Sequence, residues 1–154
     1  MILRERAEVF ITDGKNIFVG VKKGKIIIPG GTMEQNEIPK QTAIRECIEE
    51  IGVKPKNLQL LSDDLIVLDG WGGYTHAKTY SYKGIFDKYD STKWGDGPEG
   101  RFMRANILIE KLEDYYNKII QTSKDQWVDV AKHNINLLKH IKNKEQNLNK
   151  LKRG

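Results

Sequence analysis

The sequence predicts an α/β (α+β) domain, because strand-like and helix-like segments interleave along one chain of 154 residues. Three observations carry that reading. Apolar residues alternate with a period of two near the amino end, a helical period recurs at 39–51 and after 107, and turn residues separate the segments. A chain this long suits one compact domain, and 38% hydrophobic with 31% charged residues is enough to form a core without the bias of a disordered chain.

Ala7, Val9 and Ile11 alternate with polar neighbours, as in a half-buried strand. Asp13-Gly14-Lys15-Asn16 supplies turn chemistry before Ile17 to Val21, so a hairpin is expected. Lys22 to Lys25 turns the chain again into Ile26-Ile27-Ile28, which Pro29-Gly30-Gly31 stops. Pro39 suits a first helical turn, and good helix formers run from there to Gly52. Strand material follows from Asn57 to Leu68, after a break at Lys54-Pro55, and a long strand spans Ala77 to Phe86. Trp71-Gly72-Gly73 and the stretch 87–100 read as loops. Ile107 to Ile120 has helical spacing, and Trp127 to Leu151 describes a final amphipathic helix or two.

The formal charge is +5, and its placement is uneven. From Ser123 onward eight basic residues face three acidic ones, so the preceding chain balances at 18 of each. A neutral body with a basic end suggests a solvated helix face first and affinity for RNA or another polyanion second. The lone Cys47 excludes an internal disulfide and suits a reducing, cytoplasmic setting. No apolar run reaches bilayer-spanning length, so no membrane role is expected.

Helical geometry distributes 39–51 unequally. With Arg45 set at zero, Glu49, Glu46 and Glu50 fall near about 40°, 100° and 140°, while Ile44, Cys47, Ile48 and Ile51 take the opposite side. Three carboxylates on one face repel one another unless a cation sits among them. Mg²⁺ favours such oxygen donors together with water and substrate phosphates. The helix geometry alone leaves a solvated acidic face as the competing description.

The wider spacing decides between them. Gly31, Glu37, Arg45, Glu46, Glu49, Glu50 and Gly52 fit G-x5-E-x7-R-E-U-x-E-E-x-G-U, with Cys47 and Val53 in the apolar U positions. This run from Gly31 to Val53 resembles the Nudix box. The resemblance covers about residues 5 to 120 and implies a Nudix-like α/β/α sandwich with a mixed β-sheet. It places a Nudix hydrolase domain at 1–122 and leaves 123–154 as a basic amphipathic helical extension, packed on the same domain or at a homodimer interface.

The resemblance also implies roles. Glu46, Glu49 and Glu50, with the carbonyl of Gly30, would hold Mg²⁺, with Mn²⁺ as its substitute. Glu49 or an acid from a later loop would act as general base. Glu99 is the candidate in that loop, with Asp96 second. Arg45 would hold the carboxylates in register, reaching Glu37 as well. Gly31 would admit the substrate's phosphates, and Lys22 or Lys23, after the second strand, would meet them. Trp71, Tyr74 and Trp94 are expected near the cleft, where an aromatic ring stacks on a base. Tyr80 and Tyr82 share one strand face, which core packing explains at least as well. Cys47 on the apolar face is expected to be a small buried hydrophobe, and no histidine has metal-ligand spacing.

The implied reaction is hydrolysis of a phosphoanhydride in a nucleoside diphosphate linked to another group: a nucleoside triphosphate, a dinucleoside polyphosphate, ADP-ribose or similar. An RNA 5′-end pyrophosphohydrolase using the basic tail is the alternative, and an inactive nucleotide sensor the third. The intact box and the lack of a DNA-binding segment weigh against the sensor.

Overall fold

The computed structural model describes residues 3–67 and 73–153, with side chains as far as residue 143. Its elements are β1 (Leu3–Thr12), β2 (Asn16–Lys22), β3 (Lys25–Ile27), β4 (Gly30–Thr32), α1 (Pro39–Ile51), β5 (Val53–Ser62) and β6 (Leu65–Val67). They continue with β7 (His76–Tyr89), β8 (Met103–Leu108), α2 (Ile109–Thr122) and α3 (Gln126–Arg153).

The strands form one mixed sheet in the order β3-β2-β1-β7-β5. β1 and β7 run parallel, from Leu3 opposite His76 to Ile11 opposite Gly84. The pairs that β1 makes with β2 and β4 are antiparallel. Such a parallel pair needs a crossover, and α1 lies within it. β2 leaves β1 after two register pairs and runs alongside β8 instead. The resulting gap is taken by β4, where Ala7 faces Gly31 and Glu8 faces Gly30.

Helices cover both faces. On one, α1 packs Ala43, Cys47 and Ile51 against Ala7, Val9, Ile11, Val53 and Tyr82, all buried. On the other, α2 and α3 bring Ile109, Leu112, Ala131, Ile135, Leu138 and Ile141 against Phe10, Ile17 and Val19. Each fully buried aliphatic contributes about 1.5–3 kcal/mol. The α/β sandwich expected from the sequence is therefore the fold.

β1 differs from the half-buried strand that its alternation suggests. Glu8, Phe10 and Thr12, which point away from α1, are also buried, because the strand is central and α2 and α3 close its second face. Other boundaries moved for local reasons. β5 starts at Val53 and tolerates Pro55 because it ends the sheet and slips register between Lys54 and Pro55. Ile107 and Leu108 belong to β8, which pairs with Ile17 and Asn16, so α2 starts only at Ile109.

α1 is defined at both ends by local chemistry. Gln41 accepts the Ile38 N–H at 2.9 Å, and Pro39 opens the first turn. Gly52 closes the helix in the left-handed region at φ 64, a conformation that glycine adopts without a Cβ penalty.

Candidate active site

The first turn after β4 and the exposed side of α1 meet at Arg45. Its Nε donates to Glu37 Oε2 at 2.6 Å and its Nη2 to Glu37 Oε1 at 3.0 Å, a two-pronged pair. Nη1 donates to Glu46 Oε1 at 2.9 Å and Glu49 Oε2 at 3.2 Å, while Nη2 also reaches the Thr32 carbonyl at 3.2 Å. The Arg45 hydrogen bond holds the Glu37 carboxyl down at about 2. One guanidinium thus hydrogen-bonds three carboxylates, with a fourth, Glu34, 3.6 Å from Nη1, and the cluster retains an excess of negative charge.

Glu50 stands apart from that fork. It is buried, and its Oε1 accepts the Gly30 N–H at 2.8 Å. Burial raises its carboxyl to about 8 against the pull of that hydrogen bond, and burial also raises Glu46 despite the nearby Arg45. Glu50 is held by a neutral N–H, whereas Glu46 keeps the Arg45 guanidinium at 2.9 Å. Gly31 makes room for them: a Cβ there would lie 2.5 Å from Glu46 Cδ. Among the described residues no three His, Cys, Asp or Glu side chains converge on one cation centre; Arg45 draws Glu46 and Glu49 one way, while Gly30 holds Glu50.

The loop 94–102 is strung on the end of α1. Helix-terminal carbonyls lack partners within the helix, and here the loop supplies them. Gly95 N–H donates to the Glu49 carbonyl at 2.6 Å, and Phe102 N–H to that of Glu50 at 2.9 Å. The Trp94 indole N–H donates to the carbonyls of Glu50 at 3.0 Å and Phe102 at 3.1 Å. The guanidinium groups of Arg101 and Arg104 lie 4.3 and 4.6 Å from the centre of its ring. Trp94 is therefore a strut of the loop, with its indole N–H committed to main-chain carbonyls.

The loop brings Glu99 to the cleft, exposed and near Glu50, whose carboxyl it helps to raise. Lys22 donates to the Glu99 carbonyl at 2.6 Å and sits over the Phe102 ring. Lys22, Lys23, Lys25, Glu99 and Phe102 line a hollow beside it. Lys23 occupies the tight turn between β2 and β3 with φ 52. Asp96 is exposed on the same loop. Tyr74 is half-buried and near Arg4, and Trp71 lies outside the described residues. Tyr82 and Tyr80 pack into the α1-side core. Cys47 is fully buried, and burial pushes its thiol up, away from nucleophilic chemistry.

A cavity of about 410 Å³ opens between the sheet and α2–α3. Gly30, Glu50 and Glu99 line it at one side, so it adjoins the carboxylates. Ile26, Ile66 and Val130 supply apolar wall, and Glu8, Thr79, His133 and Asn134 polar wall. Thr79 Oγ1 and Asn134 Oδ1 are buried there without a hydrogen-bond partner among the described residues. Asn134 Nδ2 is fixed by the Tyr116 hydroxyl at 3.1 Å. Sequence reasoning missed this wall, because Glu8, His133 and Asn134 stand in three unrelated segments and carry no motif.

This sandwich, with its carboxylate-bearing crossover helix beside a cavity, defines a hydrolase of the Nudix class. The NUDIX domain model matches residues 2–131, and the chain belongs to that family and acts on phosphoanhydrides. The match runs beyond the stretch the box had suggested and into α3. The 8-oxo-dGTP diphosphatase of Escherichia coli (strain K12) is 27% identical over 111 residues, covering 67% of this chain and 74% of that protein. The NUDIX hydrolase of Nitrosomonas europaea aligns at TM-score 0.58 and 19% identity, over 72% of this chain and 76% of its own. The MutT NUDIX hydrolase of Burkholderia pseudomallei aligns at 0.56 and 20%, over 71% and 86%. Among the described residues no helix is long and apolar enough to cross a membrane.

Proposed function

We propose that this chain is a Mg²⁺-dependent pyrophosphohydrolase of nucleoside triphosphates, with the base in the α2–α3 cavity and the phosphates at the Nudix box. One observation carries the reading: Gly30, Glu50 and Glu99 line the same cavity as Thr79, His133 and Asn134. Its volume falls within the range of small-molecule sites, roughly 300–1,000 Å³. The name of the Escherichia coli relative makes 8-oxo-dGTP the first nucleotide to test.

The donor set suits a hard cation: Glu46, Glu49, Glu50 and the Gly30 carbonyl offer only oxygen. A bound Mg²⁺ would neutralise phosphate charge and acidify water. The protein's own part is positional. Arg45 holds Glu46 and Glu49 beside each other, and Gly31 leaves space where phosphate and carboxylate approach. Glu49 accepts the proton of the attacking water, or Glu99 does so from the facing loop. The water oxygen bonds to phosphorus as the bridging P–O bond breaks, and the leaving phosphate departs with that bond's electrons. Lys22 anchors the Glu99 loop through its carbonyl and leaves a positive charge near the departing group.

The test is a Mg²⁺-dependent screen over canonical and oxidised nucleoside triphosphates, dinucleoside polyphosphates, ADP-ribose and 5′-triphosphorylated RNA, with products identified in ¹⁸O-water. Hydrolysis of a triphosphate to monophosphate and diphosphate, abolished by EDTA, is expected. Activity that survives EDTA, or that is confined to RNA, would overturn the reading.

A further inference from the structure

His133 is held on the polar wall of the cavity between two carboxylates. Its Nδ1 lies 3.2 Å from Asp64 Oδ2, and its Nε2 lies 3.6 Å from Glu8 Oε1 and 3.3 Å from Ser81 Oγ. The Ser81 hydroxyl donates its hydrogen to Glu8 Oε1 at 2.7 Å, so its oxygen faces the ring as an acceptor. Both ring nitrogens therefore face acceptors. A neutral imidazole offers one N–H and one lone pair, whereas an imidazolium offers two N–H groups. The surroundings are complete only for the charged ring.

The groups around it favour that form. β1 contributes the anion of Glu8 and the cation of Arg6, which lie 3.2 Å apart. The β5–β6 connection contributes Asp64, and β7 only the neutral Ser81 and Thr79. Tyr116 of α2 and Glu50 of α1 stand across the cavity. Burial alone would lower the His133 pKa, but Glu8 and then Asp64 outweigh it and leave it raised.

Asn134 is the next residue on α3; it lines the same cavity, and its Nδ2 donates to the Tyr116 hydroxyl at 3.1 Å. We propose that His133, as an imidazolium clamped between Glu8 and Asp64, is a positioning residue that fixes the α3 wall of the cavity, so that substrate binding weakens when the ring loses its proton. The idea rests on the reading of the cavity as the substrate's. Deprotonation at Nε2 would set a lone pair against Glu8 and Ser81 in a site where the side chain is 9% exposed. At Nδ1 it would release Asp64 and, with it, the strand segment joined to α3.

The test has two arms. NMR titration of the His133 ring reports the clamp without any substrate, and a midpoint above 6.5 is expected. Steady-state kinetics across that midpoint, with the nucleotide that the screen identifies, should show KM rising roughly tenfold while kcat is unaffected by this group. H133Q should have the high KM at every pH, and H133K should restore the low one above the wild-type midpoint. D64N removes a partner that is 61% exposed, so the fold is retained while the ring midpoint and the KM profile both move to lower pH. A ring midpoint at or below 6.5, or equal KM for wild type and H133Q at pH 6, overturns the proposal. Hydrolysis with an unchanged KM profile counts against His133 alone, whereas absence of hydrolysis of any nucleotide overturns the functional reading and this role with it.

Discussion

Glu50 Oε1 accepts the Gly30 N–H at 2.8 Å, which ties the last turn of α1 to the strand that leads into the Nudix box. The same residue's main-chain carbonyl accepts the Trp94 indole and the Phe102 N–H. Glu50 thus joins three parts: the glycine strand, the carboxylate helix and the Glu99 loop. A displacement of any one reaches the others through a single buried residue.

E50Q is expected to lower kcat by about a thousandfold, with the fold intact. The amide oxygen still accepts from Gly30, but the carboxylate needed by a cation is gone. Stability should separate by pH. A carboxyl raised to about 8 contributes fully below the unfolded value and loses that contribution as pH rises towards 8. Without metal, wild type should therefore fall below E50Q in Tm across that window. Equal Tm at pH 5 and pH 8.5 would contradict it.

Gly31→Ala tests the space rather than the charge. The new Cβ would sit 2.5 Å from Glu46 Cδ, so the carboxylate must leave Arg45 or the strand must shift. A drop in kcat/KM of about tenfold or more, with a higher Mg²⁺ requirement, is expected; unchanged Mg²⁺ dependence would show that Glu46 yields freely.

The carboxylate helix was legible because its constraints are local. The Gly31–Val53 spacing, Pro39 and Gly52 all fall in one continuous stretch of chain, from β4 through α1 to the start of β5. The cavity was illegible because its wall depends on tertiary contacts. Alternation made Glu8 look like the solvent side of a half-buried strand, and only the packing of α2 and α3 onto that side buries it. His133 carried no ligand spacing, since its partners come from β1, β7 and the β5–β6 connection. Trp94 was readable as an aromatic but not as a donor, because one of the carbonyls it serves, that of Glu50, lies more than forty residues earlier in the chain.

Trp94→Phe should separate the strut from ring bulk. Phe retains the aromatic surface beside Arg101 and Arg104 and loses the N–H shared by the Glu50 and Phe102 carbonyls. A stability loss of about 1–2 kcal/mol is expected, with a fall in kcat larger than any change in KM. A pure KM effect would return Trp94 to the role of a base-stacking ring.

Glu8 gives the acid limit of the fold. Burial opposes its charge, yet Arg6, His133 and Ser81 together hold its carboxyl down at about 2. A depressed carboxyl contributes stability that is present above its unfolded value, about 4.5, and is lost as pH falls towards 2. By the same linkage the His133 contribution is present below about 6.5 and is lost as pH rises through its raised folded value. The clamp should therefore be strongest between those limits, near pH 5 to 6.5. E8Q removes the anion while leaving Arg6 and His133 in place, so Arg6 loses its ion pair and His133 loses the more buried of its two carboxylate partners. It should cost on the order of 3 kcal/mol near pH 6 and progressively less below pH 4, where wild type itself takes up the proton. Chemical denaturation of both proteins at pH 3 and pH 6 measures the difference directly, and an equal gap at the two pH values would show that Glu8 is not ionised in the folded protein.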